Sequence, residues 1–358
     1  DTEATTEVQL WQLYARCLTE LRCHPSTRSL SPEDAAHVLV KRGYVSQYQA
    51  ERLLEGRSRG YFYDRYKIVD LLGVGGMGTV FQAEDTTTRD IVALKVLSDQ
   101  LKRDNGMRAR FLQEAHIGLK LKHPHIVRTH EMGSAGGLPY MIMELVRGPS
   151  LLEILLRVRR VSWGAACEFG RQTALGLEYA HQQGYIHRDV KPQNLLVDSA
   201  CQIHLLDFGL GMTREGETGD EFSMAMIFGH QSVGTAEYAA PEQTKDSLSA
   251  DARSDIYSLG ATLFTAMTGT TPFQAETTAA MLEAHHTQRL RSVREYVRSI
   301  PVEVADTIAR MMARNPDERF RSAAEVAEAL APWSKTVPVE FDFDTILAER
   351  KLQARERQ

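Results

Sequence analysis

Tyr185-Ile186-His187-Arg188-Asp189-Val190-Lys191-Pro192-Gln193-Asn194 carries a carboxylate, an ammonium and an amide in close succession, then runs into the apolar Leu195-Leu196-Val197. Such a loop can present Asp189 to a hydroxyl, Lys191 to a developing anion and Asn194 to a cation. Taken alone, the stretch is also compatible with an ordinary charged turn. Asp207-Phe208-Gly209, which follows the short apolar run Ile203-His204-Leu205-Leu206, argues against that bland reading. A second carboxylate, delivered by a strand and freed by glycine, is what a metal–phosphate site needs.

Outward from this pair lie Gly73-Val74-Gly75-Gly76-Met77-Gly78-Thr79-Val80, Val92-Ala93-Leu94-Lys95 and Ala240-Pro241-Glu242. A lone glycine pattern of the first kind has a rival, the dinucleotide-binding loop, which requires a helix straight after the third glycine. Here the β-branched and aromatic Thr79-Val80-Phe81 favours a strand. The loop therefore reads as a hairpin flap whose glycines let backbone approach phosphates. Lys95 ends an apolar strand, where an unpaired ammonium is costly, so it needs a carboxylate and a phosphate. The five motifs, in this order, resemble those of the protein kinases. The resemblance covers about Tyr66 to Trp333, and the wording from Leu72 to Val80 looks most like the bacterial Ser/Thr branch.

That resemblance implies an α+β, bilobal protein kinase fold, with a small β-rich N-lobe over residues 66–145 and a larger helical C-lobe over 146–333. It implies an ATP-dependent serine/threonine protein kinase that transfers the γ-phosphoryl group of ATP to protein hydroxyls, with ATP and Mg²⁺ as cofactors. By resemblance, Leu72, Gly73, Gly75, Gly76, Gly78, Val80 and Ala93 surround the nucleotide, Met143 guards the adenine pocket, and backbone groups of Glu144 and Val146 meet the adenine edge. Lys95, paired with Glu114, orients the α/β-phosphates, while Asn194 and Asp207 hold the metal. Asp189 positions the attacking hydroxyl and takes its proton, Lys191 neutralises the transferred group, and Thr235 contacts both. Asp255 is expected to bond the catalytic-loop backbone, and Arg319 to pair with Glu242. Arg188 implies a phosphorylated residue in the segment before Glu242, with Ser223 or Ser232 the candidates in the absence of the paired threonines of related bacterial kinases. The rival from another class, a non-catalytic pseudokinase, requires the loss of Lys95, Asp189 or Asp207, and all three are present. A small-molecule kinase of related fold is disfavoured by the Gly234-Thr235 and Ala240-Pro241-Glu242 elements.

Composition narrows the partners. A net charge of −5 over 358 residues gives no bulk attraction to nucleic acid or an anionic membrane. The four cysteines, Cys17, Cys23, Cys167 and Cys201, are scattered without metal-ligand spacing and fit a reducing cytoplasm. The longest apolar candidate, Ile256 to Met267, falls short of the ~18 residues of a spanning helix. The expectation is a cytoplasmic chain with protein substrates and self-association for autophosphorylation. The absence of an initial Met leaves an anchor beyond Gln358 open.

Two stretches lie outside the resemblance. Residues 1–60 read as a helical module of open role, either a structural extension or a docking and regulatory element. Val8, Trp11, Ala15 and Leu18 share one helical face. Ser31-Pro32 starts a second helix, with Ala35, Val38 and Leu39 as its stripe. Ser46 with Gln49 starts a third, whose apolar positions run through Leu53 and Leu54. Arg57 to Arg65 reads as a linker. Further along, Asn105 to Leu121 is expected to be a helix carrying Glu114, with a strand opening at Ile126-Val127. Ser162 and Ser254 read as helix caps, and Ser322 with Glu325 as a capping box. Residues 334–358 form a tail that either docks back or leads onward.

Overall fold

The structure, a computed structural model, describes residues 31–56, 60–208, 236–245, 250–336 and 342–356. These fall into two compact units. The first holds the described residues up to Ala115, with Thr129–Leu145 and those from Asp344 on; the second holds His116–Arg128 and Val146–Phe343. The first is built on a sheet and the second on helices, the α+β organisation that the motifs imply.

The first unit opens with α1 (Pro32–Lys41) and α2 (Gln47–Leu54), each started by a reciprocal serine cap. Ser31 Oγ accepts the Asp34 N–H and Ser46 Oγ accepts the Gln49 N–H, both at 3.1 Å, which satisfies donors that a helix start leaves orphaned. Six strands follow: β1 (Phe62–Tyr63), β2 (Tyr66–Val74), β3 (Gly78–Asp85), β4 (Ile91–Leu97), β5 (Thr129–Ala135) and β6 (Leu138–Glu144). They form one antiparallel sheet in the order β1-β2-β3-β4-β6-β5. Helix α3 (Asn105–Lys120) lies in the chain between β4 and β5.

Cross-strand partners share a sheet face, so the register separates two sets. Phe81–Leu94 and Leu94–Ile142 pair on one face, in a cluster with Ile68, Leu71, Ala83 and Val96. Tyr48 of α2 and Tyr63 of β1 pack onto this cluster, with the Tyr48 and Phe81 ring centroids 6.0 Å apart. The opposite face carries Val80, Ala93, Lys95, Met141 and Met143 through the pairs Val80–Lys95, Lys95–Met141 and Ala93–Met143.

In the second unit α4 (Leu151–Val158) precedes the long α5 (Trp163–Gln182), which Ser162 caps and Gly184, at φ +83°, follows. Helices α6 (Pro241–Lys245), α7 (Ala252–Thr268), α8 (Thr278–Thr287), α9 (Val293–Tyr296), α10 (Val302–Met311) and α11 (Ala323–Leu330) complete the set. Helix α7 is buried almost from end to end, which fits the apolar Ile256, Leu259, Leu263, Phe264 and Met267 along it. Gly170 on α5 is a contact requirement, since a Cβ there would lie 2.5 Å from Leu263 Cδ1. A short hairpin, β7 (Leu195–Val197) with β8 (Ile203–Leu205), closes on the loop that precedes it. The last helix, α12 (Phe343–Glu356), belongs with the first unit from Asp344 onward.

Four local expectations need correction. Helix α7 is capped by Asp251, whose side chain accepts the Arg253 N–H; Ser254 is buried and donates to Glu242 Oε1 at 2.7 Å. Ser322 caps α11, but Glu325 turns to the Arg321 N–H instead of closing a box. Leu53 and Leu54 are 44% and 45% exposed, while Gln49 and Ala50 take the buried face of α2. Ile126 forms only a bridge to Leu205, and the strand begins at Thr129. The helix expected around Val8 to Leu18 lies outside the described residues.

Two stability outcomes follow from buried polar groups. The fully buried Arg319 guanidinium grips Glu242 at 2.6 and 2.8 Å and also donates to three backbone carbonyls. Arg319→Ala should cost about 3–5 kcal/mol, read as a lower urea midpoint, because it strands the Glu242 carboxylate. His285, fully buried, accepts the Tyr257 O–H at 2.7 Å, and burial pulls its pKa down to about 4. The unfolded chain, titrating near ~6.5, therefore binds a proton that the folded chain refuses. Stability from this group is intact above about pH 6.5 and declines toward pH 4, by up to about 3 kcal/mol. Urea titrations across that window should show a shallower slope for His285→Gln than for the parent chain.

Candidate active site

In the first unit, β4 delivers Lys95 onto the face opposite the aromatic cover. Its Nζ meets Glu114 Oε1 at 2.6 Å, with both side chains nearly buried. Glu114 comes from the middle of α3, flanked by the fully buried Phe111 and Ala115, so the helix is held with its carboxylate inward. The glycine turn bridges β2 and β3, with Gly73 opposite Val80 and Val80 opposite Lys95. A strand, not a helix, follows the last glycine, which removes the dinucleotide-binding rival. At Gly78 a Cβ would sit 1.9 Å from the Val96 carbonyl oxygen, so only glycine lets β3 pass this close to β4. Ala93 and Met143, cross-strand partners, are buried on the Lys95 face, and Glu144 ends β6. Leu72 sits at the register shift between Leu71 and Gly73 and is buried.

In the second unit, the loop from His187 to Asn194 hangs from one buried carboxylate. Asp255 on α7, wholly buried, accepts the backbone N–H groups of His187 at 2.8 Å and Arg188 at 2.7 Å, and His181 Nε2–H at 2.7 Å. Burial drives its pKa up, but these donors and the neighbouring histidines outweigh that and hold it below the usual carboxylate range. His187 ties the loop to the strand beyond. Its Nε2 lies 2.7 Å from the Leu206 carbonyl, so that nitrogen carries the proton, while Nδ1 accepts the Asp189 N–H at 3.2 Å. The Asn194 carbonyl accepts the Leu206 N–H at 2.8 Å. Asp189 and Asp207 are thereby fixed to one framework.

Asp189 Oδ2 lies 2.8 Å from Lys191 Nζ and accepts the Asn194 amide N–H at 3.1 Å. With the Asn194 nitrogen committed to Asp189, its amide oxygen is aimed away from that carboxylate. Asp207 is exposed, whereas the next ring, Phe208, is buried edge-on against His187 at 4.6 Å. Arg188 and Asp207 both adopt left-handed backbone, at φ +66° and +58°. Non-glycine residues pay strain there, and such residues cluster at functional sites. Burial pulls the Arg188 pKa down, partly offset by Asp255, and its Nε has no hydrogen-bond partner among the described residues.

The structure thus pairs Lys95 with Glu114 and joins Asp189, Lys191 and Asn194, with Asp207 anchored nearby through Leu206. Val146 lies in the second unit, just past β6. Thr235, Ser223 and Ser232 lie outside the described residues. Two positioning groups escaped the sequence reading. His181 sits 74 residues before its partner Asp255, and Gln243 donates to the Arg188 carbonyl at 3.0 Å across 55 residues. Neither has a local signal, because both contacts are long-range.

A model of the protein kinase domain family matches residues 66–331. Serine/threonine-protein kinase PknB of Mycobacterium leprae is 35% identical over 267 residues, covering 74% of this chain and 42% of that protein. PknJ of Mycobacterium tuberculosis is 38% identical over 280 residues, covering 76% of this chain and 46% of that one. The chain spans less than half the length of these curated relatives. The crystal structure of the Mycobacterium tuberculosis PknI kinase domain superposes with a TM-score of 0.59 at 26% identity, over 77% of this chain and 98% of that one. The chain belongs to the protein kinase domain family.

The Lys95–Glu114 pair has a thermodynamic signature. Lys95→Met should destabilise by about 3–5 kcal/mol because it leaves a buried carboxylate without its cation. Adding Glu114→Gln should recover part of that loss without restoring any Lys95-dependent activity, as urea denaturation and turnover measured in parallel would reveal.

Proposed function

We propose that the chain is an ATP-dependent serine/threonine protein kinase. One observation carries this: Lys95, Asp189 and Asp207, the residues a non-catalytic relative would lack, are all present, with Lys95 on Glu114 and Asp189 held by Lys191 and Asn194. Lys95 would hold the α/β-phosphates, its ammonium kept in place by Glu114. Asp189 would orient a substrate hydroxyl and take its proton as the oxygen attacks. Lys191, already beside Asp189, would offset negative charge on the transferred phosphoryl. Asn194 and Asp207 fit Mg²⁺ as oxygen donors of the type and small number that this ion takes from protein when phosphates supply the rest. When bound, the ion would neutralise phosphate charge. The transition state is loose and anionic, so fixed charge and positioning account for most of the acceleration.

The nucleotide itself would rest against Leu72, Gly73, Gly75, Gly76, Gly78, Val80 and Ala93, with Met143, Glu144 and Val146 at the adenine end. We also infer that the acceptors are Ser or Thr of proteins, including copies of this chain, and that Ser223 or Ser232 modified in this way pairs with Arg188. The desolvated guanidinium supports this, since a phosphate brings oxygens suited to it. Thr235 would then contact Asp189 and Lys191. We also place the chain in the cytoplasm, a reading supported by its scattered cysteines; separately, no helix among the described residues is long and apolar enough to cross a membrane.

Incubation with labelled ATP·Mg²⁺ and a generic basic protein tests the reading. Asp189→Asn should lower turnover about 10²–10⁴-fold, the range expected for loss of a general base. ATP affinity in that variant should stay within about tenfold, since Asp189 addresses the hydroxyl. Full turnover in Asp189→Asn would overturn the assignment.

A further inference from the structure

Described residues from both stretches outside the family match, those before residue 66 and those from Asp344 on, fall in the first unit, where they meet the hairpin that bears the glycine turn. On the N-terminal side, Lys67 of β2 reaches the Tyr44 carbonyl at 3.4 Å, and Tyr48 packs on Phe81 of β3. On the C-terminal side, Lys351 of α12 meets both carboxylate oxygens of Asp70, at 2.6 and 2.7 Å. Asp70 is on β2, shortly before Gly73. Helix α12 is seated by Ile346 and Leu347, 1% and 6% exposed.

The register explains why a carboxylate is available there. Tyr66 and Ile68 are buried on β2, so strict alternation would send Asp70 into the core after them. A register shift between Ile68 and Asp70 resets the phase; Leu71 becomes the buried residue, opposite Phe81, and Asp70 is left partly exposed. Bulges re-aim side chains in this way. Asp70 also accepts the Leu71 N–H at 2.8 Å, so the ion pair is coupled to the backbone at the bulge rather than dangling from the surface.

We propose that α12 is an intramolecular brace on the nucleotide-binding flap, with Asp70 and Lys351 as positioning residues that hold β2 in the geometry that receives ATP. The proposal rests on the kinase reading above. It concerns nucleotide binding and not the chemical step, because neither residue belongs to the transfer machinery. Releasing the brace therefore weakens ATP binding while leaving phosphoryl transfer at saturating ATP in place.

Calorimetric titration with ATP and Mg²⁺ of the whole chain, beside steady-state kinetics, tests this. Lys351→Met and Asp70→Asn should each raise the Kd and KM for ATP about fivefold, at the lower end of coupling between sites. Turnover at saturating ATP should stay within about twofold, and the double variant should be no worse than either single one, the non-additivity of a direct pair. Lys351→Arg, which keeps the cation, should restore parental affinity, and amide exchange in peptides covering 68–82 should quicken in Lys351→Met alone of these two. Unchanged ATP affinity in both single variants, or additive effects in the double, would overturn the brace and leave the kinase reading standing. A parent chain that binds no ATP would overturn both.

Discussion

A carboxylate sealed away from water, that of Asp255, is what the loop from His187 to Asn194 depends on. An isolated charge in that position would cost far more than folding can offset. It is tolerated because two consecutive backbone N–H groups, from His187 and Arg188, and the His181 imidazole all point at it. Satisfying Asp255 in this way fixes the loop's entry, and the left-handed turn at Arg188 follows directly after. Helix α7 then acts as a rigid post, because burial along nearly its whole length leaves it no freedom to shift. The same post carries Ser254, which bonds Glu242, and Glu242 is locked by Arg319. The loop that bears Asp189 and the helix that begins at Pro241 are thus fastened to one element.

The sheet unit solves a different problem. A six-stranded sheet exposes two faces, and a face lined by Phe81, Leu94 and Ile142 needs cover. Tyr48 and Tyr63 supply it on one side, and α3 brings Glu114 to Lys95 on the other. Residues 32–54 are therefore part of how the sheet is completed, and the small core of Leu39, Val45 and Ala50 keeps their two helices together while they do so.

How much of this was legible in the sequence depended on the range of each signal. The motifs marked Lys95, Asp189, Asn194 and Asp207 because their chemistry is concentrated in short stretches. The caps at Ser31, Ser46 and Ser162 were legible because the hydrogen bond each makes spans only three residues. At Asp251-Ala252-Arg253-Ser254-Asp255 the same rule failed, since two residues there can cap and the choice is made by Glu242, twelve positions away. Glu325 was misassigned for a related reason, as two backbone donors compete for one carboxylate. Leu53 and Leu54 looked inward by composition, yet Gln49 took the buried position because its side chain closes the cap on Ser46. His181 and Gln243 were invisible because their partners are set by tertiary packing alone.

The strained residues show how these constraints converge. Arg188 and Asp207 are both held in left-handed backbone, which a side chain disfavours. Each is flanked by a bond that prevents relaxation: the Arg188 N–H is taken by Asp255 and its carbonyl by Gln243, while Leu206, just before Asp207, is bound through its N–H to Asn194 and through its carbonyl to His187. Relaxing either residue would break bonds to buried partners, at about 1–3 kcal/mol for each group left unsatisfied. The strain is thus smaller than the cost of its release, and the Asp189 and Asp207 carboxylates are pre-set before any ligand arrives. Under the kinase reading proposed above, preorganised charge of this kind would need no rearrangement when phosphoryl transfer begins.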